Sequence, residues 1–275
     1  MNIPFHDFSG TGQTIHFAHA NAYPPGCYRQ FIAPFLDQHH VIGIKHRPMW
    51  PNSNHQTFHS WQTIADDLID FLDQQGLKNI IGMGHSLGAI ATILASIKRP
   101  DLFSQLVLID PVLLPPAIIW SSHLTPMRFR PKLIPIMAGA LRRRDSWDSQ
   151  ETLFESYRQK QIFSLMPDDT LWDFVKHGTE PTADGRIKLA YPKAWEARIY
   201  ATPYPIWRKL SQIIPPTLGI RAEHSQTPNP RMWLKWQSIQ TTATFVEMKG
   251  VTHLVPLEQP AQLAEVVLNH LKNKR

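Results

Sequence analysis

Cysteine is almost missing from this chain. Cys27 is the one thiol in 275 residues, which excludes an internal disulfide and a cysteine-rich metal site. Long apolar runs are missing as well, since none approaches the ~20 residues that a bilayer crossing needs. The opening stretch, MNIPFHDFSGTG, has neither the basic start nor the apolar core of a signal peptide. These gaps point to a cytoplasmic protein with no membrane span. Fourteen histidines are present, yet none falls in an HExxH-like spacing, and the chain has no dinucleotide fingerprint and no P-loop. No cofactor and no metal are therefore expected. There is no internal repeat and no low-complexity tract.

Hydrophobic residues make up 43% of the chain, enough for a sizeable core in one large domain or a domain with an insertion. The formal net charge is +6 and the sequence pI is near 9.5. The excess is local. Residues 112–214 hold 15 Lys and Arg against 10 Asp and Glu, whereas the rest holds 13 against 12. Arg142-Arg143-Arg144 is its densest point, but Asp145, Asp148, Glu151 and Glu155 follow at once. That mixture reads as a solvated helix face, not a nucleic-acid surface.

Short apolar runs alternate with helical patterns. Strands are expected at Thr14–Ala18, Val41–Ile44, Asn79–Met83, Leu106–Ile109, Pro216–Ile220 and Thr244–Met248. Helices are expected at 27–37, around Trp61–Leu72, at Ala89–Ile97, 230–239 and 258–272. In the second of these, Trp61, Ile64, Ala65, Leu68 and Leu72 share one face and Asp66, Asp70 and Asp73 point away. Leu106-Val107-Leu108-Ile109 is apolar at consecutive positions, as a strand covered on both faces must be. Strand–helix alternation implies a mostly parallel sheet with helices on both sides. Between 112 and 212 the alternation stops. That proline-rich stretch holds five of the nine tryptophans and 13 of the 28 aromatics. It reads as a mostly helical insertion dividing a core of residues 1–111 and 213–275.

One stretch, GMGHSLGA at 82–89, places a serine between glycines where a strand hands over to a helix. A turn that tight crowds neighbouring backbones, and glycine has no side chain to clash. Gly84-His85-Ser86-Leu87-Gly88 is thus a nucleophile elbow, with Ser86 at its tip. A serine hydroxyl needs a base, an acid that holds the base in one tautomer, and two N–H donors for an oxyanion. His253 follows the last strand, on the rim where the carboxyl ends of parallel strands gather chemistry. After the first strand, His19-Ala20-Asn21-Ala22-Tyr23-Pro24 offers small residues. The N–H groups of Asn21 and of Leu87 are the candidate oxyanion donors. His19 reads as a structural loop residue and Cys27 as packing at a helix start.

The elbow GHSLG, the HAN-x-x-P loop, the order serine then histidine and the inserted helical segment together resemble the α/β-hydrolase superfamily over nearly the whole chain. The resemblance is to its capped serine-hydrolase branch of esterases, lipases and carbon–carbon bond hydrolases. It implies an eight-stranded sheet, with one or two initial strands short or missing here because only about a dozen residues precede the first. Epoxide hydrolases and haloalkane dehalogenases of this fold use a carboxylate nucleophile, and position 86 is serine. The family's usual acid would follow the strand at 217–221, but that loop reads Arg221-Ala222-Glu223-His224-Ser225-Gln226. Ser225 fills the acid's slot. Asp110, at the end of the strand beside the elbow strand, is the favoured acid, a placement some family members use. Glu223 is the alternative, and an absent acid is the third reading.

The expectation is a cofactor-free serine hydrolase acting on a small-molecule ester of modest acyl or aryl size, with the insertion as a roof over the pocket. A thioester, lactone or carbon–carbon bond hydrolase with the same residues, or a non-catalytic ligand-binding protein, are the alternatives. Oligomeric state is left open.

Overall fold

The computed structural model describes residues 2–272. Ten strands and twelve α-helices form among them. Seven strands make the central sheet: β1 (Phe5–Ser9), β2 (Gln13–Ala18), β3 (His39–Ile44), β4 (Ile80–His85), β5 (Phe103–Ile109), β9 (Thr217–Ala222) and β10 (Thr244–Met248). Their spatial order is β1-β3-β2-β4-β5-β9-β10. Only β1 is antiparallel to its neighbour, and the other six strands run parallel. This is the α/β-hydrolase fold.

Strand alternation distributes the core over both faces. On β4 and β5, Ile80, Leu106 and Leu108 face one side, where they meet α2 (Gln62–Gln74), α3 (Leu87–Lys98) and α10 (Pro230–Ile239). Ile81, Met83, Val107 and Ile109 face the other, against α1 (Arg29–Ile32), α11 (Val255–Glu258) and α12 (Pro260–Lys272). These strands are apolar on consecutive positions because both faces are dry.

Several local expectations need correction. The sheet has seven strands among the described residues, one short of eight as the resemblance allowed, but β1 was not anticipated. Its alternating side chains are at most half-buried because it lies at an edge. The helix expected at 27–37 is a single α-turn between two 3₁₀ turns. Pro34 there has no N–H to continue the ladder. The closing helix expected at 258–272 forms as α12, with Pro260 at its first position, and the short α11 before it was not expected.

Between β5 and β9 lie α4 (Pro116–Leu124), α5 (Arg130–Leu133), α6 (Pro135–Arg142), α7 (Gln150–Arg158), α8 (Asp168–His177) and α9 (Lys193–Tyr200). A small antiparallel sheet accompanies them, built of β6 (Ser146–Trp147), β7 (Thr179–Pro181) and β8 (Ile187–Leu189) in the order β6-β8-β7. Strands of two or three residues leave no periodicity to read, and Lys188 and Glu180 pair on its exposed side. Trp147, Leu153, Tyr157, Leu171 and Phe174 of this segment join the same apolar cluster as Phe31 and Val255. Half of the segment is therefore fastened to the sheet's flank.

Candidate active site

Five strand ends meet at one rim. The loops after β2, β4, β5, β9 and β10 carry Asn21, Ser86, Asp110, Ser225 and His253 respectively. The chain leaves β2 for β3 on one side and returns to β4 on the other, so a crevice opens at their carboxyl ends.

Ser86 sits at φ 57°, ψ −117°, a conformation that side chains rarely adopt. Two glycines permit it. A β-carbon on Gly84 would lie 2.6 Å from the Gly88 carbonyl, and one on Gly88 would lie 2.0 Å from the carbonyl oxygen of Ala18. The elbow thus packs helix against strand with no room for a methyl group. The Ser86 N–H donates to the Ile109 carbonyl (3.0 Å), which pins the elbow to β5.

From the elbow a hydrogen-bonded line runs to β5. Ser86 Oγ is 2.8 Å from His253 Nε2, and His253 Nδ1 is 2.6 Å from Asp110 Oδ2. A carboxylate can only accept, so Nδ1 carries the proton and Nε2 is free to accept from the serine hydroxyl. Asp110 is fully buried. Its Oδ1 accepts from the Ala222 N–H (2.8 Å), and its Oδ2 also accepts from the Ser225 hydroxyl (2.5 Å). Three donors surround the carboxylate, as a buried anion requires.

Glu223 is not brought to this line. Its carboxylate accepts from the Gly250 N–H (2.9 Å) and Lys249 (3.1 Å). Those contacts, the Gly250 N–H first, hold it below the usual glutamate range. The alternative acid therefore turns to the surface, away from the imidazole. Ser225 was read as a gap in the acid's usual slot. Its hydroxyl donates to the Asp110 carboxylate on the neighbouring strand. Only the register of β5 against β9, with Ile109 opposite Ile220, brings the two loops together.

Two supports were not legible in sequence. Glu258 accepts from the Thr252 N–H (2.7 Å) and from the Thr252 hydroxyl, bracing the loop that carries His253. His85 Nε2 donates to the His253 carbonyl (2.8 Å), and its Nδ1 lies 2.8 Å from the Tyr28 hydroxyl. That hydroxyl accepts from the Ala20 N–H at 3.2 Å. Since a carbonyl only accepts, His85 must hold its proton on Nε2 and take the Tyr28 hydrogen on Nδ1. Burial, then the nearby His253, drives its pKa well below 6.5, so the ring is neutral. The chain of donors ties the loop after β2 to the backbone of His253.

The loop after β2 is held by a second histidine pair. His19 Nε2 accepts from the His46 N–H (3.0 Å), and His46 Nε2 donates to the His19 carbonyl (2.9 Å). Both rings are buried and burial keeps them neutral, His46 with a pKa of about 4. His19 thus links the loop after β2 to the backbone after β3. Cys27 is wholly buried, and burial raises its thiol pKa. The Asn21 side chain is clamped by the Tyr191 hydroxyl (2.9 Å) and the Glu196 carbonyl (3.2 Å). The backbone N–H groups of Asn21 and Leu87 have no acceptor among the described residues.

A cavity of about 400 Å³ opens above Ser86 and His253. Val112, Leu114, Ile118, Leu133, Ile134 and Ile136 supply much of its wall, and no Asp, Glu, Lys or Arg among the described residues lines it. Of the thirteen aromatics in 112–212, Tyr200 alone lines it. Apart from Tyr200, that segment meets the cavity with aliphatic and small side chains. Among the described residues no three His, Cys, Asp or Glu side chains converge as a metal site.

The alpha/beta hydrolase family matches residues 17–266 of the chain. The chain belongs to that family. It is 22% identical to the uncharacterized hydrolase YugF of Bacillus subtilis, across 99% of this chain and 95% of that protein. A karrikin insensitive 2 receptor B of Petunia hybrida is 30% identical, but over 37% of this chain and 39% of the receptor. Among solved structures, E-2-(acetamidomethylene)succinate hydrolase superposes with a TM-score of 0.78 at 19% identity, covering 98% of this chain and 94% of that one. A marine microorganism esterase superposes with a TM-score of 0.70 at 18% identity, covering 98% of each. At such identities the superpositions speak for the fold.

Proposed function

We propose that this protein is a cofactor-free serine esterase cleaving uncharged esters of small to medium acyl or aryl groups. The observation that carries the reading is the unbroken line Ser86–His253–Asp110 at 2.8 and 2.6 Å. His253 Nε2 takes the Ser86 proton as Oγ attacks the ester carbonyl. Asp110 holds the Nδ1 proton and so fixes the tautomer. The N–H groups of Asn21 and Leu87 receive the oxyanion. Collapse of the tetrahedral species passes the proton from His253 to the leaving alcohol and leaves an acyl group on Ser86. Water, deprotonated by the same ring, then releases the acid. Residues 112–212 are the cap, whose aliphatic side chains at the cavity hold the acyl group and exclude water. The absence of Asp, Glu, Lys and Arg from the wall favours a neutral substrate over a carboxylated one. The single, buried cysteine is in keeping with a cytoplasmic setting.

A panel of p-nitrophenyl esters of rising chain length tests the reading, with Ser86→Ala as control. Loss of a triad serine costs on the order of 10⁶ in rate. A fluorophosphonate should label Ser86 stoichiometrically. Failure to label, or a Ser86→Ala variant that keeps more than a few per cent of turnover with an unchanged fold, defeats it and favours a ligand-binding role.

A further inference from the structure

The α4–α6 rim of the cavity gathers more of the exposed large apolar side chains than any other stretch of the chain. Ile118, Leu133 and Ile136 line the cavity and are also about half exposed. Beside them Trp120 is 60% exposed, Leu124 82% and Phe129 45%. The cause is in the sequence. Helix α4 reads PAIIWSSHL, apolar on nearly every side, but buries only Ile119 and Ser122. The helices α4, α5 and α6 are short, with Pro126 before α5 and Pro135 opening α6, and of their apolar side chains Met137 and Ala140 join a small cluster with Ala197 and Ala201 while Trp120, Leu124, Leu133 and Ile136 stay exposed.

Charge on this segment is one-signed. Residues 112–144 hold six Lys and Arg and no Asp or Glu. Three of the six serve the fold, Arg144 by donating to the Ser146 carbonyl (2.6 Å). Arg130 donates to the carbonyls of Thr125 (2.8 Å) and Ala201, and Arg143 pairs with Glu196. Arg128, Lys132 and Arg142 stay exposed. Bulky apolar groups with cations between them fit an interface that is apolar within and anionic at its surface. A second copy of this chain fits poorly, since facing patches would bring like charges together. Single side chains standing out from four short turns also offer no groove for a peptide. No helix among the described residues is long and apolar enough to cross a bilayer, so docking would be peripheral.

We propose that the α4–α6 face docks on an anionic lipid surface and so places the mouth of the Ser86 cavity against it. Docking stands on exposure and charge alone. Only its corollary, that an ester bearing an acyl chain enters from the lipid, rests on the esterase reading.

The test uses Ser86→Ala protein, so that binding is measured without turnover. Co-sedimentation with phosphatidylglycerol vesicles should exceed that with phosphatidylcholine vesicles at least tenfold at low salt. Binding should fall at least tenfold in 0.5 M NaCl, in the triple variant Trp120→Ser/Leu124→Ser/Phe129→Ser, and in the charge variant Arg128→Glu/Lys132→Glu. None of these five side chains lines the cavity, so with Ser86 restored both variants should hydrolyse a soluble short-chain ester as the parent does. No binding, equal binding to the two vesicle types, or binding untouched by a folded variant overturns the proposal. So does self-association in sedimentation velocity that the triple variant abolishes. A protein that binds vesicles but does not react with fluorophosphonate keeps the docking face and loses the esterase.

Discussion

Two neighbouring strand ends carry a carboxylate near His253, and one of the two carboxylates meets its ring. After β5 the backbone turns through Asp110 at φ 43°, a conformation aspartate tolerates better than most side chains. Its carboxylate is buried under three donors, one of them the imidazole of His253. After β9 the acidic candidate, Glu223, bonds to Gly250 and Lys249. The nearer side chain on that rim is a hydroxyl, Ser225, which gives its hydrogen to Asp110. The difference teaches that the charge and the slot can separate. An acid on β5 reaches the same imidazole, and the vacated position on β9 becomes part of its support.

The comparison is most exposed at Asp110. Asp110→Asn should lower turnover by about 10⁴, because an amide can hold the wrong histidine tautomer. Single-turnover kinetics on a p-nitrophenyl ester read this directly, and a loss under tenfold would mean that the carboxylate on β5 is dispensable. The reciprocal exchange sharpens it. The Ser225 hydroxyl ends 2.5 Å from the carboxylate oxygen that meets His253, so Asp110→Asn/Ser225→Asp should regain at least about tenfold over the single variant. Equal rates for the two would show that β9 cannot present an acid to this ring.

Smaller effects grade the supports. Ser225→Ala removes one of three donors while Asp110 keeps the other two, and should cost about tenfold in kcat with little change in KM. A shift confined to KM would assign Ser225 to substrate contact instead. Glu223→Gln should alter turnover by less than about tenfold. A loss as large as that of Asp110→Asn would move the acid to β9.

Much of this could be read from residues. The alternation of apolar runs with amphipathic helices sufficed for a parallel sheet, because dry strands between two helical layers need apolar side chains on both faces. The elbow was legible because two glycines around a serine leave few other backbones. His253 and Asp110 were reachable because chain order assigns each to a strand end. Ser225, Glu258, His85 and Tyr28 were not, since each acts through a partner at least six residues away. The β6-β8-β7 sheet and the identity of the side chains that line the cavity also escaped. Strands of two or three residues carry no period, and composition cannot say whether an aromatic side chain faces a cavity or a core.

The sequence by itself determined the strand–helix alternation, the strained serine, and the run of cations and apolar residues at 112–144. These are local matters, settled by glycine spacing, periodicity and count. Only the tertiary structure decided which carboxylate meets His253, what Ser225 does, and which side chains enclose the cavity. Each of those depends on the register of β5 against β9 and on how the segment after Asp110 folds back over the rim. Hydrogen bonds reach about 3 Å, so no spacing along the chain can reveal a contact made by loops more than a hundred residues apart.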